Sequence, residues 1–142
     1  SRWTGAYQCW GPENREAALR LIPGAPGRAE TANAEVKCLD AAASPYLVAG
    51  AVLAAGLGGL ERGERLPPAT AGDPVDLAED ERPARLPSTL PEAVARFRQS
   101  EVLRAALGDP LFEAIMEVRE AETNLFAGYS PQALANATRR AY

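Results

Sequence analysis

The 142-residue sequence contains no histidine. Within this chain that removes imidazole general bases, Ser-His-Asp and Cys-His nucleophile systems, and histidine metal ligands. Lysine is nearly absent too. Lys37 stands alone among abundant Ala, Gly, Pro and Arg, a skew that reads as a bias of the source genome and not as function. The two cysteines, Cys9 and Cys38, form no CxxC pair. With only these two, free thiols in a reducing cytoplasm are the expectation. There is no basic run and the net charge is −4, so the electrostatic footprint of a nucleic-acid binder is missing. No apolar run approaches the roughly 20 residues of a membrane span; the longest, from Tyr46 to Leu60, stops at E-R-G-E-R. The first residues carry no secretory signal pattern, and a cytoplasmic protein is expected. What remains, 46% hydrophobic and 24% charged, is ordinary for a globular domain with a modest core.

The informative stretch runs from Trp10 to Leu47. Two short apolar runs carry cations and one carboxylate, joined by a bend at Pro23, Gly24, Pro26 and Gly27. In Ala17–Ile22, alternation sets Ala18, Arg20 and Ile22 against Ala17, Leu19 and Leu21. In Ala34–Leu39 it sets Glu35 and Lys37 against Val36 and Cys38. An antiparallel pair would turn Arg20, Glu35 and Lys37 toward one cleft. Spacing by itself favours a solvated face of cross-strand ion pairs, each worth about 0.2–1 kcal/mol.

Three blocks in order add to that pattern. Trp10-Gly11-Pro12-Glu13-Asn14-Arg15 followed by Arg20 resembles W-G-x-x-N-R-x-x-x-x-R. Glu35-Val36-Lys37, then Asp40 and Ser44-Pro45-Tyr46-Leu47, resembles E-x-R-x-x-D-x-x-x-N-P-Y-L. The run Ala49–Arg62 resembles A-A-x-L-A-A-G-L-x-G-I-E-R. Together they resemble the C-terminal part of the glutamine synthetase catalytic domain, and most closely its amine-ligating members, the γ-glutamylpolyamine synthetases. A weaker likeness at L-P-S-T-L-P-E-A extends it over most of the chain.

The resemblance implies roles residue by residue. Arg15 and Arg20 would contact ATP phosphates and the transferred phosphoryl group. Lys37 would meet the γ-glutamyl phosphate and the substrate carboxylate, and Glu35 would ligate the Mg²⁺ or Mn²⁺ bound with ATP. Asn33 stands at a further nucleotide-phosphate position. The chemistry is phosphoryl transfer, in which the protein positions groups and neutralises charge on moving oxygens. Three positions depart from the family pattern. Lys37 replaces an Arg, and an ammonium lacks the planar two-pronged contact of a guanidinium. Asn33 stands where many members have Arg, and Ser44 where the family has Asn. The family's histidine ligand and its further glutamate ligands belong to segments upstream of the part matched here.

The expected fold is α+β, mostly helical by residue count, with short antiparallel strands packed with several helices. As a single domain it would comprise a substrate loop and two strands (1–43), a buried helix (44–62), a loop (63–87) and a helical C-terminal part (88–142). The aromatics Trp3, Tyr7 and Trp10 are expected to pack. Ser44-Pro45 opens a helix that is apolar on all sides and therefore expected to be buried. The loop carries five prolines and the acidic residues Asp76, Glu79, Asp80 and Glu81, whose spacing matches no EF-hand. Thr89-Leu90-Pro91-Glu92 is a capping box for a helix to about Arg98. Ser100 caps a short helix ending at Gly108. Asp109-Pro110 opens the longest helix, with Leu111, Phe112, Ile115, Met116 and Val118 as its apolar stripe and Glu117, Glu120 and Glu122 on a solvated face. Ser130-Pro131 starts a last helix ending near Tyr142.

The expected activity is an ATP-dependent carboxylate–amine ligase of nitrogen metabolism. Glutamate, with ammonia or an amine, would give a γ-glutamyl amide, ADP and phosphate. The resemblance implies a ring-shaped homo-oligomer for the intact protein. Trp3 matches a substrate-loop tryptophan, so the start at Ser1 reads as a boundary within a longer polypeptide, and the isolated piece is expected to be inactive. The alternative is a non-catalytic, truncated or decayed member acting as an assembly or regulatory subunit.

Overall fold

The W-G-x-x-N pattern forms a tightly held corner. In the computed structural model, which describes residues 5–40 and 42–139, strand β1 (Trp10–Pro12) is followed by β2 (Leu19–Ile22) and β3 (Asn33–Val36). The sheet order is β1-β2-β3. β2 and β3 pair antiparallel, as expected, with Arg20 opposite Glu35 and Ile22 opposite Asn33. β1 was not anticipated as a strand, and it pairs parallel with β2, Gly11 opposite Arg20. Three residues are too few to show a period, so β1 left no alternation to read. The expected strands are also shorter than their apolar runs. Ala17 and Ala18 belong to the core and not to β2, buried with Tyr7 and Cys9.

A parallel pair normally needs a crossover of a dozen or more residues. Here Glu13 to Ala18 suffice because the loop is cinched by Asn14, the one buried polar residue among those described. Its Nδ2 donates to Thr70 O (2.8 Å) and Gly72 O (2.9 Å), and its Oδ1 accepts from Glu16 N (2.9 Å). Gly11 makes room: a Cβ there would stand 2.4 Å from Thr70 O. Trp10 joins the same seam, its Nε1 donating to Pro67 O at 2.8 Å and its carbonyl accepting from Thr70 N at 2.9 Å. The stretch read as a plain loop, 63–87, is thus sewn to the strands. Further on it bridges Tyr7 with Arg85, and Gln8 N donates to Ala84 O. Fully buried Pro74 sits in a short 3₁₀ turn, Pro74–Asp76, capped by Asp73. The acidic residues Asp76, Glu79, Asp80 and Glu81 are exposed.

Because this loop returns to the strands, the chain gathers into two compact units. Residues 1–41 with 64–86 form one, and 42–63 with 87–142 the other. The second unit is helical: α1 (Pro45–Glu61), α2 (Leu90–Arg98), α3 (Glu101–Leu107), α4 (Asp109–Leu125) and α5 (Pro131–Thr138). The capping signals place the helix starts. Thr89, Ser100 and Ser130 each accept a backbone N–H of the first turn. At α2 the reciprocal half of the capping box lands one residue earlier than expected, Glu92 Oε2 accepting from Ser88 N at 2.8 Å. Gly108 separates α3 from α4 at φ 73°.

The core of this unit is Val94, Phe112 and Met116, with Phe97, Leu103 and Leu107 packed on it. Phe112 stacks on Phe97 with ring centroids 4.5 Å apart, and the Arg104 guanidinium lies 4.2 Å from the Phe112 centroid. Of the stripe expected on α4, only Phe112 and Met116 are buried. Leu111 and Val118, 41% and 53% exposed, lie on a different face at 100° per residue. Glu120 is paired across helices with Arg98, and Glu122 with Arg119 at 2.6 Å.

The buried helix expected at 44–62 is corrected. α1 forms at Pro45–Glu61, but Ser44 makes no side-chain cap bond, and Gly58 is its one buried residue. Tyr46 and Leu60 are 87% and 79% exposed. An all-apolar helix needs cover on every side, and α3 touches it along one strip only, where Val102 approaches Gly58. The readings of Ser1 and Trp3 lie outside the described residues, and the last helix ends at Thr138, four residues before Tyr142.

Two outcomes follow. Asn14→Ala leaves the Thr70 and Gly72 carbonyls without their donor and is expected to cost about 2–3 kcal/mol, read as a lower urea midpoint. The Glu92 carboxyl is held below its usual range, first by the Ser88 N–H and then by the Ser88 hydroxyl. A depressed carboxyl stabilises the fold above its ordinary pKa, about 4.3, and loses that effect as pH falls through the lower folded value. Thermal melts should therefore show Glu92→Gln less stable than wild type at neutral pH, with the gap closing in acid.

Candidate functional site

The register of β2 and β3 assembles one face of the first unit. Arg20 faces Glu35, and Asn33, two residues before Glu35, shares that face opposite Ile22. Arg20 Nη1 lies 3.3 Å from Glu35 Oε2 and 3.4 Å from Oε1. A second carboxylate, which sequence reasoning passed over, reaches the same guanidinium: Arg20 Nη2 donates to Glu13 Oε2 at 2.6 Å. The Arg20 side chain is 15% exposed and Glu35 45%. The Glu13 hydrogen bond, more than that of Glu35, raises the Arg20 pKa and holds the group protonated. Arg20 Nε is buried with no acceptor.

Lys37 lies one residue past β3. Its backbone N–H donates to Ala18 O at 2.8 Å, and its ammonium donates to the carbonyl oxygen of Arg15. The lysine thereby ties the end of β3 to the loop that presents Arg15. Arg15 itself is exposed and follows directly on the buried Asn14. Asn33 is exposed, and its Nδ2 donates to the local carbonyl of Thr31 at 3.0 Å. Of the five residues singled out from the sequence, Arg20 pairs with Glu35, and the Lys37 ammonium meets the backbone carbonyl of Arg15. Asn33 shares the face but bonds within its own turn.

Among the described residues, no three His, Cys, Asp or Glu side chains lie close enough to hold a metal ion. A hard divalent cation takes about six oxygen ligands. Glu35 offers one carboxylate, already engaged with Arg20, so these residues do not form a cation site by themselves. Arg20 on the middle strand, with Lys37 and Arg15 in the segments beside the sheet, supplies cationic donors able to receive an anionic group. Glu13 carried a readable signal: it sits inside the W-G-x-x-N-R block, two residues before Arg15. Its reach back to Arg20 depends on a left-handed backbone, which spacing does not disclose.

Comparison with known proteins gives the following. The family model described as glutamine synthetase, catalytic domain, matches residues 1–135. A gamma-glutamylpolyamine synthetase of Streptomyces coelicolor is 45% identical over 147 residues, covering 100% of this chain and 32% of the relative. A glutamine synthetase of Mycobacterium tuberculosis is 35% identical over 117 residues, covering 80% of the chain and 26% of the relative. One from Archaeoglobus fulgidus is 34% identical over 134 residues, covering 87% and 26%. The chain spans about a third or less of the length of these relatives.

If Lys37 ties β3 to the Arg15 loop, Lys37→Met should release it. Hydrogen exchange is expected to quicken at the amides of residues 15 to 18 while those of α4 stay unchanged.

Proposed function

The chain belongs to the glutamine synthetase catalytic-domain family, and from that premise we propose that it is the C-terminal catalytic portion of an ATP-dependent carboxylate–amine ligase. The substrates are glutamate, ATP and ammonia or an amine; the products are a γ-glutamyl amide, ADP and phosphate. The observation that carries the reading is the pairing of Arg20 with Glu35 across β2 and β3, with Lys37 on the Arg15 carbonyl beside it in the chain, within a chain matched by the family model from residue 1 to 135.

In this reading Arg20 and Arg15 neutralise phosphate oxygens, and catalysis comes from positioned charge. Lys37, anchored on the Arg15 carbonyl, holds the loop and supplies a point charge near the substrate carboxylate in place of an arginine's fork. Asn33 lies at the nucleotide-phosphate end of the same face. Glu35 contributes one oxygen ligand to a Mg²⁺ or Mn²⁺ cage completed by residues beyond this chain. The chain alone is inactive, because one carboxylate does not hold the cation. The intact protein works as a cytoplasmic homo-oligomeric ring; the uncovered apolar faces of α1 support an assembly larger than these residues.

A second reading, a non-catalytic assembly or regulatory member, is favoured by Lys37 for Arg, Asn33 for Arg and Ser44 for Asn. Assay of the intact protein separates the two. Phosphate release from ATP is expected only with glutamate plus an amine, across a panel of ammonia, monoamines and polyamines. Absence of that dependence for every amine defeats the ligase reading. Arg20→Ala is expected to abolish saturable Mg–ATP binding in calorimetry.

A further inference from the structure

Glu13 has an unusual backbone. Among the described residues it is the only non-glycine with positive φ, at 52°. The left-handed region is disfavoured for an L-residue, and glutamate has no local hydrogen bond that relieves it as asparagine does. The conformation is imposed from both sides. Glu13 N donates to Leu21 O at 2.8 Å, and the next residue is the buried, triply bonded Asn14. Its result is a carboxylate turned back onto Arg20 at 2.6 Å, closer than the 3.3 Å of Glu35.

A second cost sits on the same ion pair. With Nη2 on Glu13 and Nη1 on Glu35, the guanidinium is held in a pose that leaves Nε–H buried without an acceptor. A desolvated donor of this kind is destabilising, and a surface ion pair selected only for stability gains nothing from it. Strain and an unpaired donor retained on one side chain point to a pose fixed for binding.

We infer that Glu13 is the positioning residue of Arg20. It fixes the guanidinium through Nη2, independently of Glu35, so that Arg20 stays in place when the Glu35 carboxylate turns to another partner. Nη1, once released by Glu35, then meets an anionic oxygen, while Nε stays buried. Both carboxylates are solvent-accessible, Glu13 at 56% and Glu35 at 45%; what sets Glu13 apart is a backbone held by Leu21 O beside the buried Asn14 and the shorter contact, 2.6 Å against 3.3 Å. The two carboxylates therefore differ in duty: one is a fixed anchor, the other is free to exchange. The inference rests on the ligase reading for the identity of the anion, a phosphoryl group of ATP.

The test uses the intact protein and four variants. Glu13→Gln removes the charge, and Glu13→Asn removes it with a residue that tolerates the left-handed backbone. Glu13→Asp keeps the charge on a shorter arm, and Glu13→Gly relieves the strain. For Gln and Asn, kcat is expected to fall roughly ten- to a hundredfold with KM for glutamate within a factor of about two. Asp should recover part of that loss. The melting temperatures of Asn and Gly should match or exceed wild type, which separates positioning from folding. Glu13→Gln within twofold of wild-type kcat overturns the inference. If the wild type shows no glutamate- and amine-dependent phosphate release, the ligase reading falls by itself. Calorimetry with Mg–ATP then decides for Glu13: weakening of fivefold or more in Glu13→Gln supports it, and unchanged affinity overturns it. A wild type that binds no nucleotide overturns both.

Discussion

The first unit depends on the side chain of Asn14. A buried amide must be satisfied, and here its three hydrogen bonds run to a neighbouring amide and to two carbonyls 56 and 58 residues away in sequence. Those bonds turn an improbably short parallel connection into a stable corner. They draw in the proline-rich loop, force Gly11 to be glycine because Thr70 O takes the place of a Cβ, and impose the left-handed turn at Glu13. The W-G-x-x-N portion of the block is therefore architectural: Trp10, Gly11 and Asn14 bind the loop, while Arg15 rides on what they build.

Charge on the exposed face follows from that corner. Arg20 stands on the middle strand, flanked by a carboxylate from each neighbour: Glu35 through the antiparallel register and Glu13 through the turn that ends β1. Lys37 closes the arrangement from the far end of β3 by gripping the Arg15 carbonyl. The lysine at this position thus has a structural expression. An ammonium on a flexible stem reaches a backbone oxygen that a planar guanidinium would meet differently. The guanidinium meets two carboxylates, yet its Nε–H finds no acceptor.

In the helical unit, local chemistry and packing agree except at α1. Hydroxyl caps start three helices, and Gly108 breaks α3 from α4. Phe112 fills the centre, between Phe97 and Arg104. α1 has the composition of a core helix and the exposure of a surface one. Its small residues permit close approach on several sides, and within its unit α3 uses one.

The residues that build elements from neighbours in sequence were legible. Helix starts at Leu90, Glu101, Asp109 and Pro131, the antiparallel β2–β3 pair and the family likeness all come from local signals: caps, alternation and ordered motif blocks. The shared face of Arg20 and Glu35 also follows from the period of two. What only the tertiary structure decided required contacts between distant segments. Such contacts include the strand at Trp10–Pro12, the stitching of residues 67–86 onto it, the division into two units, and the uncovered state of α1. The role of Glu13 belongs with them. A carboxylate's charge is written in the sequence, but a φ of 52° that aims it at Arg20 is set by hydrogen bonds to Leu21 and by the corner at Asn14. No local propensity of glutamate would choose that backbone conformation.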